Sequence, residues 1–206
     1  MRLHMATMSL LAGLLPACLL LALAGAPGTA RAQMKLKDYA VGRYPIGGEF
    51  TLTNQDGGRT RLADFRGKAV LMSFGYTHCP DVCPTTLSEF KQIRQALGQD
   101  GAQLQALFIS VDPKRDTPAL LKQYIGYFDP TFVGLTGSEE ELEEVSEKYM
   151  ARFRTRESSS AVGYFVDHTT FMYLIDTQGK VRYLFTPDAS RQIVIEGVKT
   201  VLAGMS

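Results

Sequence analysis

Two cysteines four positions apart are the residues of this chain with the clearest capacity for chemistry, Cys79 and Cys83. On a helical turn, side chains at i and i+4 face the same way with their β-carbons about 5–6 Å apart. A helix N-terminus also offers unpaired N–H groups and a partial positive charge, which favour thiolate over thiol. With so few cysteines a disulfide-stapled scaffold is excluded, so the pair is predicted to bind a metal ion or to be redox-active.

An imidazole is the natural third ligand for such a pair, and His168 immediately precedes a predicted hairpin strand. Two thiolates and one imidazole suit Cu(I) in a trigonal site, whereas a structural zinc site usually has four protein ligands. His78 adjoins Cys79 and would have to bend back along the chain to reach the same ion, so it is kept as a weaker alternative. The predicted metal ligands are Cys79, Cys83 and His168.

Three aspartates near these residues have other predicted roles. Asp112 is followed by a proline at the end of a predicted strand, and Asp116 precedes a predicted helix in the manner of a cap. Neither is predicted to bind the metal. Asp167 adjoins His168 and is a candidate to orient the imidazole as a hydrogen-bond acceptor.

The elements that must position these residues follow from hydrophobic periodicity and turn chemistry. Ser138 and Glu141 predict a capping box at the start of one helix. The predicted order is a hairpin at 50–53 and 60–62, a buried strand at 68–74, a helix from 84 to 98, a strand at 104–111, a helix at 117–128, a short strand at 132–135, a helix from 138 that fades near 153, a hairpin at 171–175 and 181–185, and a closing helix at 190–202.

This order predicts an α/β fold with a central, mostly parallel sheet, helices on both faces and an N-terminal β-hairpin. A thioredoxin-like fold has this order, and in it the loop that contains His168 packs beside the cysteine turn. Sites in such sheets collect at the carboxyl ends of central strands, and Cys79 follows one directly. Residues 155–163 are turn-rich and are predicted to form a mobile loop ahead of the histidine.

The N-terminus has the layout of an export signal. Arg2 precedes an uncharged, largely apolar run at 8–26, and Ala30 and Ala32 have the spacing that a signal peptidase reads. We predict cleavage after Ala32. The alternative is a retained membrane anchor, since a run of this length lies near the lower end of the about 17–25 residues needed to span a bilayer.

The remainder is predicted to be a linker at 33–45 and one domain at 46–206. The whole chain has 22 Lys and Arg against 21 Asp and Glu. This near-neutral balance does not favour nucleic acid as a partner.

Four segments in register carry a resemblance to a known family. They are FGYTHCPDVCP at 74–84, SVDPKRDTP at 110–118, VGLTG at 133–137 and VDHTTFMYLID at 166–176. Together they resemble the Sco/SenC family of copper chaperones in order and spacing from about residue 46 to residue 201. The resemblance implies a thioredoxin-like fold, Cu(I) or Cu(II) bound by Cys79, Cys83 and His168, and assistance to copper A assembly in cytochrome c oxidase.

The resemblance also leads us to expect particular partners and a cellular compartment, and one alternative function stays open. The expected partners are the copper-site subunit of the oxidase, other copper chaperones and thiol reductants, in the periplasm, with the protein either free or tethered to the inner membrane. The alternative is an enzyme, a thiol–disulfide oxidoreductase that reduces the cysteines of the oxidase copper site. Three residues separate Cys79 from Cys83, where the familiar thioredoxin arrangement has two, and no proline lies between Ala161 and Phe171. Generic disulfide exchange is therefore the less favoured function.

Overall fold

The computed structural model describes residues 34–159 and 163–204. The predicted signal segment at 1–32 and residues 160–162 of the predicted mobile loop lie outside the described residues. Within the two described ranges, no helix has the length and apolar character needed to cross a bilayer.

In these ranges the chain forms strands and helices in the predicted order, with one additional strand pair. The strands are β1 Thr51–Asn54, β2 Arg59–Arg61, β3 Ala69–Gly75, β4 Leu104–Ser110, β5 Val133–Thr136, β6 Phe153–Glu157, β7 Tyr164–His168, β8 Met172–Ile175 and β9 Val181–Phe185. The helices are α1 Val82–Ala96, α2 Pro118–Phe128, α3 Glu139–Lys148 and α4 Arg191–Ala203.

Seven strands form one sheet in the order β2-β1-β5-β4-β3-β8-β9. The parallel part is confined to β3, β4 and β5, and antiparallel strands continue the sheet on both sides. All seven residues of β3 are buried, as expected for a central strand covered on both faces. The predicted α/β class is confirmed.

Helices cover both faces of this sheet, and neighbouring residues of β8 show how the faces divide. The Tyr173 ring packs against the ring of Tyr149, the residue that ends α3, with 5.6 Å between centroids. Leu174 points the other way and lies against Gly197 of α4. The α1 helix contacts both α2 and α4, which places the cysteine-bearing helix on the α4 side.

Local side-chain chemistry sets several helix starts. Ser138 and Glu141 form the predicted capping box, in which each side chain accepts a hydrogen bond from the other residue's N–H. Thr117 caps α2 and Ser190 caps α4, each by accepting a hydrogen bond from the backbone N–H three residues further on. Caps of this kind stabilise a helix by about 1 kcal/mol each.

The segment predicted to be a linker differs from that expectation. Residues Leu36–Tyr39 form a 3-10 turn, and the Tyr39 ring is buried against Phe185 with 5.1 Å between centroids. The amide of Val41 donates to the carbonyl of Arg182 at 3.0 Å, so the segment runs along the edge strand β9. A segment that covers an edge strand protects the unpaired backbone groups of that strand. Such packing does not require hydrophobic periodicity in the covering segment, so the sequence did not indicate it.

The prediction of a mobile loop at 155–163 is wrong for its first three residues. Residues 155–157 belong to β6, which pairs with β7 in an antiparallel hairpin that places Thr155 opposite Val166 and Phe153 opposite His168. Four of the five β6 residues are exposed, so the strand lacks the apolar alternation by which strands are recognised.

Candidate metal centre

The cysteine turn connects a buried strand to a helix start. The β3 strand ends at Gly75, the Cys79 amide donates to the carbonyl of Tyr76 at 3.2 Å, and Cys83 lies in the first turn of α1. Cys79 is 9% exposed and Cys83 2% exposed, so both thiols sit just below the surface. The structure places the cysteine pair as predicted, after a central strand and at a helix N-terminus.

Close packing explains why a glycine precedes this turn. A β-carbon on Gly75 would lie 2.5 Å from the ring of Phe108 and 2.8 Å from Sγ of Cys83. Both distances are shorter than van der Waals contact allows. The absence of a side chain at this position is therefore a condition for the position of the Cys83 thiol.

Asp116 holds the cysteine turn by hydrogen bonds. The prediction that it caps a helix is therefore wrong. Its carboxylate accepts from the amide and the hydroxyl of Thr77 at 2.9 and 2.6 Å, and from the hydroxyl of Ser110 at 2.6 Å. Thr117 is the residue that caps α2. Asp116 is 1% exposed and its role needs a contact across 39 positions, which no local pattern reveals.

His168 ends β7 and turns its imidazole toward the thiols. Its Nε2 lies 3.4 Å from Sγ of Cys83, and its Nδ1 lies 3.0 Å from the carbonyl oxygen of Thr169. A proton on Nδ1 would be donated to that carbonyl, leaving the Nε2 lone pair toward the cysteines. One ligand atom from each of Cys79, Cys83 and His168 can be chosen so that all lie within 4.8 Å of one another.

Two other candidates are not brought into this group. Asp167 was expected to orient the imidazole, but consecutive strand residues point to opposite faces, and its carboxylate lies 3.4 Å from Nε of Arg156. The Thr169 carbonyl occupies the orienting position instead. His78 lies with Nδ1 3.0 Å from the Thr77 hydroxyl and 3.8 Å from Asp116, and is absent from the ligand group of the described residues.

The two thiols are electrostatically unequal. A hydrogen bond from Cys83 is the main reason that the pKa of Cys79 falls to about 4, with a further contribution from His168 and opposition from burial. The same contact and burial raise the pKa of Cys83. The first proton therefore leaves Cys79, and a metal ion that binds both sulfur atoms must displace the proton of Cys83.

A surface cleft adjoins the histidine of the group. A cleft of about 670 Å³ opens beside His168, and neither cysteine lines it. Its wall includes the polar and charged residues Glu143, Ser146, Arg152, Arg154, Asp167 and Thr169.

Comparisons with known proteins agree with this fold. The SCO1/SenC family model matches residues 40–203. The SCO2-like protein of Rickettsia felis is 38% identical over 155 residues, which are 75% of this chain and 76% of that protein.

Solved structures give the same result. The copper-bound ScoI of Bradyrhizobium japonicum is 39% identical with a TM-score of 0.70, covering 76% of this chain and 99% of its own. A SCO1/SenC family lipoprotein of Bacillus anthracis is 28% identical (TM-score 0.64; 76% and 94% covered). BsSco, described with a disulfide switch as one of the Sco family of cytochrome c oxidase assembly proteins, is 25% identical (TM-score 0.60; 80% and 94% covered).

Proposed function

This chain belongs to the SCO1/SenC family, and from that premise we propose that it is a copper metallochaperone whose ion is held by Cys79, Cys83 and His168. The observation that carries the proposal is the convergence of two thiols and one imidazole within 4.8 Å. The donor set fits the cargo, since soft thiolates and an imidazole select copper ions over hard cations. Within the described residues this group has no fourth ligand of the kind that structural zinc requires.

Delivery to the copper A centre of cytochrome c oxidase is the proposed purpose. One solved relative, BsSco, is described as a member of a family of cytochrome c oxidase assembly proteins, and the copper-bound ScoI has this fold. We propose that the ligands of a partner replace the imidazole first and leave copper on the two thiolates, because His168 belongs to a two-stranded sheet separate from the main one. The receiving partner is the copper-site subunit of the oxidase, and other copper chaperones or thiol reductants act upstream.

A thiol–disulfide oxidoreductase is the second candidate, and the unequal thiols favour it. A thiolate at Cys79 beside a protonated Cys83 matches the attacking and resolving thiols of disulfide exchange. Exchange at the oxidase cysteines has no need of His168, whereas the three-ligand copper site does. The histidine therefore separates the two functions.

Copper titration of the reduced protein tests the proposal, with His168→Ala and His78→Ala as a matched pair. We expect one copper per chain in the wild type. His168→Ala should weaken Cu(II) binding more than Cu(I) binding, because two thiolates already suit Cu(I) in linear geometry. His78→Ala should bind both ions normally. Retention of both affinities in His168→Ala, together with unchanged disulfide reduction, would favour the oxidoreductase.

The compartment follows from the N-terminal sequence. We propose export to the periplasm by the segment at 1–32, either cleaved after Ala32 or kept as an anchor. Intact mass of the protein from the periplasmic and membrane fractions distinguishes the two forms. Recovery of the full-length protein only in the cytoplasm would contradict export.

A further inference from the structure

Three side chains form a compact group where the β6–β7 hairpin, which ends at His168, meets the loop between β4 and α2. The guanidinium carbon of Arg115 lies 3.7 Å from the centroid of the Tyr164 ring, and its Nη1 donates to the Tyr164 carbonyl at 2.9 Å. Its Nε donates to the carboxylate of Asp112. The Tyr164 hydroxyl donates to the other Asp112 oxygen at 2.7 Å. Arg115, Asp112 and Tyr164 are called the clasp below.

The hairpin needs such an attachment because of its topology. In the described part of the chain, β6 and β7 form a two-stranded sheet separate from the seven-stranded one. An isolated two-stranded hairpin is marginally stable in water. Val166 is its one buried residue among those described, so side-chain contacts must hold the hairpin against the domain.

The clasp acts on the same strand face as the imidazole. Tyr164, Val166 and His168 alternate onto one face of β7, and a strand rise of about 3.3 Å per residue puts the clasp end about 13 Å from the histidine end. The Tyr76 ring bridges part of that distance. Arg115 lies 5.6 Å from its centroid, and the His168 ring meets it edge-on at 5.8 Å.

Two of the three residues of the clasp are largely shielded from solvent. Asp112 is 3% exposed, and the side chain of Arg115 is 17% exposed. Removing one partner of a buried ion pair leaves an uncompensated charge, so the group tolerates few alternative arrangements. The same loop carries Asp116, which holds the cysteine turn through Thr77. The loop between β4 and α2 therefore contacts both the turn that carries the cysteines and the strand that carries the histidine.

We propose that Arg115 and Tyr164 are positioning residues for His168, which keep β7 in place so that the imidazole stays within reach of the two thiols. The inference rests on the proposed copper site and deepens it. The loop between β4 and α2 then sets the distance between the thiolates and the imidazole, and through it the preference between the two oxidation states of copper.

The test uses Arg115→Lys and Tyr164→Phe, with Arg156→Lys as the matched control. Arg156 also lies over a hairpin aromatic ring, that of Phe165, and pairs with Asp167, but on the exposed face. Cu(I) and Cu(II) affinities are measured in each variant. In the metal-free proteins, amide hydrogen exchange across β7 and the NMR signals of the His168 imidazole are recorded.

Both clasp variants should lose Cu(II) affinity by about tenfold, the lower end of the range for groups that orient metal ligands. Cu(I) affinity should change by less than the Cu(II) affinity in each, exchange across β7 should accelerate without metal, and the control should match the wild type. Equal losses for both ions, or no change of the metal-free His168 signals in Tyr164→Phe, would overturn the inference. If Arg115→Lys unfolds, Tyr164→Phe decides. Failure of the wild type to bind copper would overturn the proposed function, while the metal-free measurements would still judge the clasp.

Discussion

The cysteines and the histidine of the candidate centre are held by regions that differ in how they are stabilised. Cys79 and Cys83 follow β3, which is buried throughout and paired on both sides. His168 ends β7, whose strand partner in the described structure is β6 alone. The thiols thus belong to the most constrained part of the fold, and the imidazole belongs to an attached hairpin.

This difference suits a protein that must hold an ion and then release it. Local opening of a structure is cheapest where buried contacts are few, and the hairpin has fewer than the central sheet. The imidazole can leave while the thiolates remain in place. In the proposed copper site we therefore expect binding strength to depend mainly on the cysteine turn, and release to depend on the hairpin.

Removing either thiol should have the largest effect. Cys79→Ser or Cys83→Ser should reduce Cu(I) affinity by more than the about 10- to 100-fold that loss of an orienting group costs, because one thiolate cannot chelate. Thr85→Ser, on the exposed side of the same helical turn, is the control. Competition titration with a Cu(I) chelator measures the change. Undiminished affinity in both cysteine variants would remove the site.

A methyl group on Gly75 should disturb the cysteine turn without replacing a ligand residue. Gly75→Ala would press on Phe108 and on Sγ of Cys83 and should destabilise the fold by about 1–3 kcal/mol, as overpacked cores do. Gly126→Ala, in open space on α2, should instead stabilise it by about 0.5–1 kcal/mol. Urea denaturation compares the two. A Gly75→Ala protein as stable as the wild type would show that the cysteine turn is less constrained than the packing indicates.

The two thiols should differ in reactivity by a smaller but clear margin. With its pKa at about 4, Cys79 is a thiolate from pH 5.5 to 8, so its alkylation rate should stay nearly flat there and fall below pH 4. A free thiol near pKa 8.5 would instead react faster by about tenfold per pH unit. Cys83→Ala removes the main cause and should restore that slope. Mass spectrometry of iodoacetamide-treated protein locates the modified residue, and equal labelling of both cysteines would contradict the assignment.

Hydrogen exchange should show the smallest effect. In the metal-free protein the paired amides of β6 and β7 should be protected, but less than those of β3, because local opening costs less at the hairpin. Copper should raise protection across β7 and leave β3 unchanged. Protection of β7 equal to that of β3, with no response to copper, would make His168 a fixed ligand.

How much the sequence predicts differs between the same two regions. The cysteine turn was predictable because its signals are local: an apolar run, a C-x3-C spacing and a helix start. The hairpin was missed because Arg154, Thr155 and Arg156 of β6 are exposed and polar. The attachment of the hairpin through Arg115 to Tyr164 spans 49 positions, and a contact between such distant residues leaves no periodic trace.

The sequence by itself determined the fold class, the order of the main elements and the three candidate ligands, because hydrophobic periodicity, helix caps and donor chemistry are properties of short segments. Tertiary structure decided what surrounds them. Asp116 became the anchor of the cysteine turn, and the Thr169 carbonyl took the place expected for Asp167. Hydrogen bonds of this kind depend on where strand pairing and packing bring each polar group, and that is set by the fold as a whole.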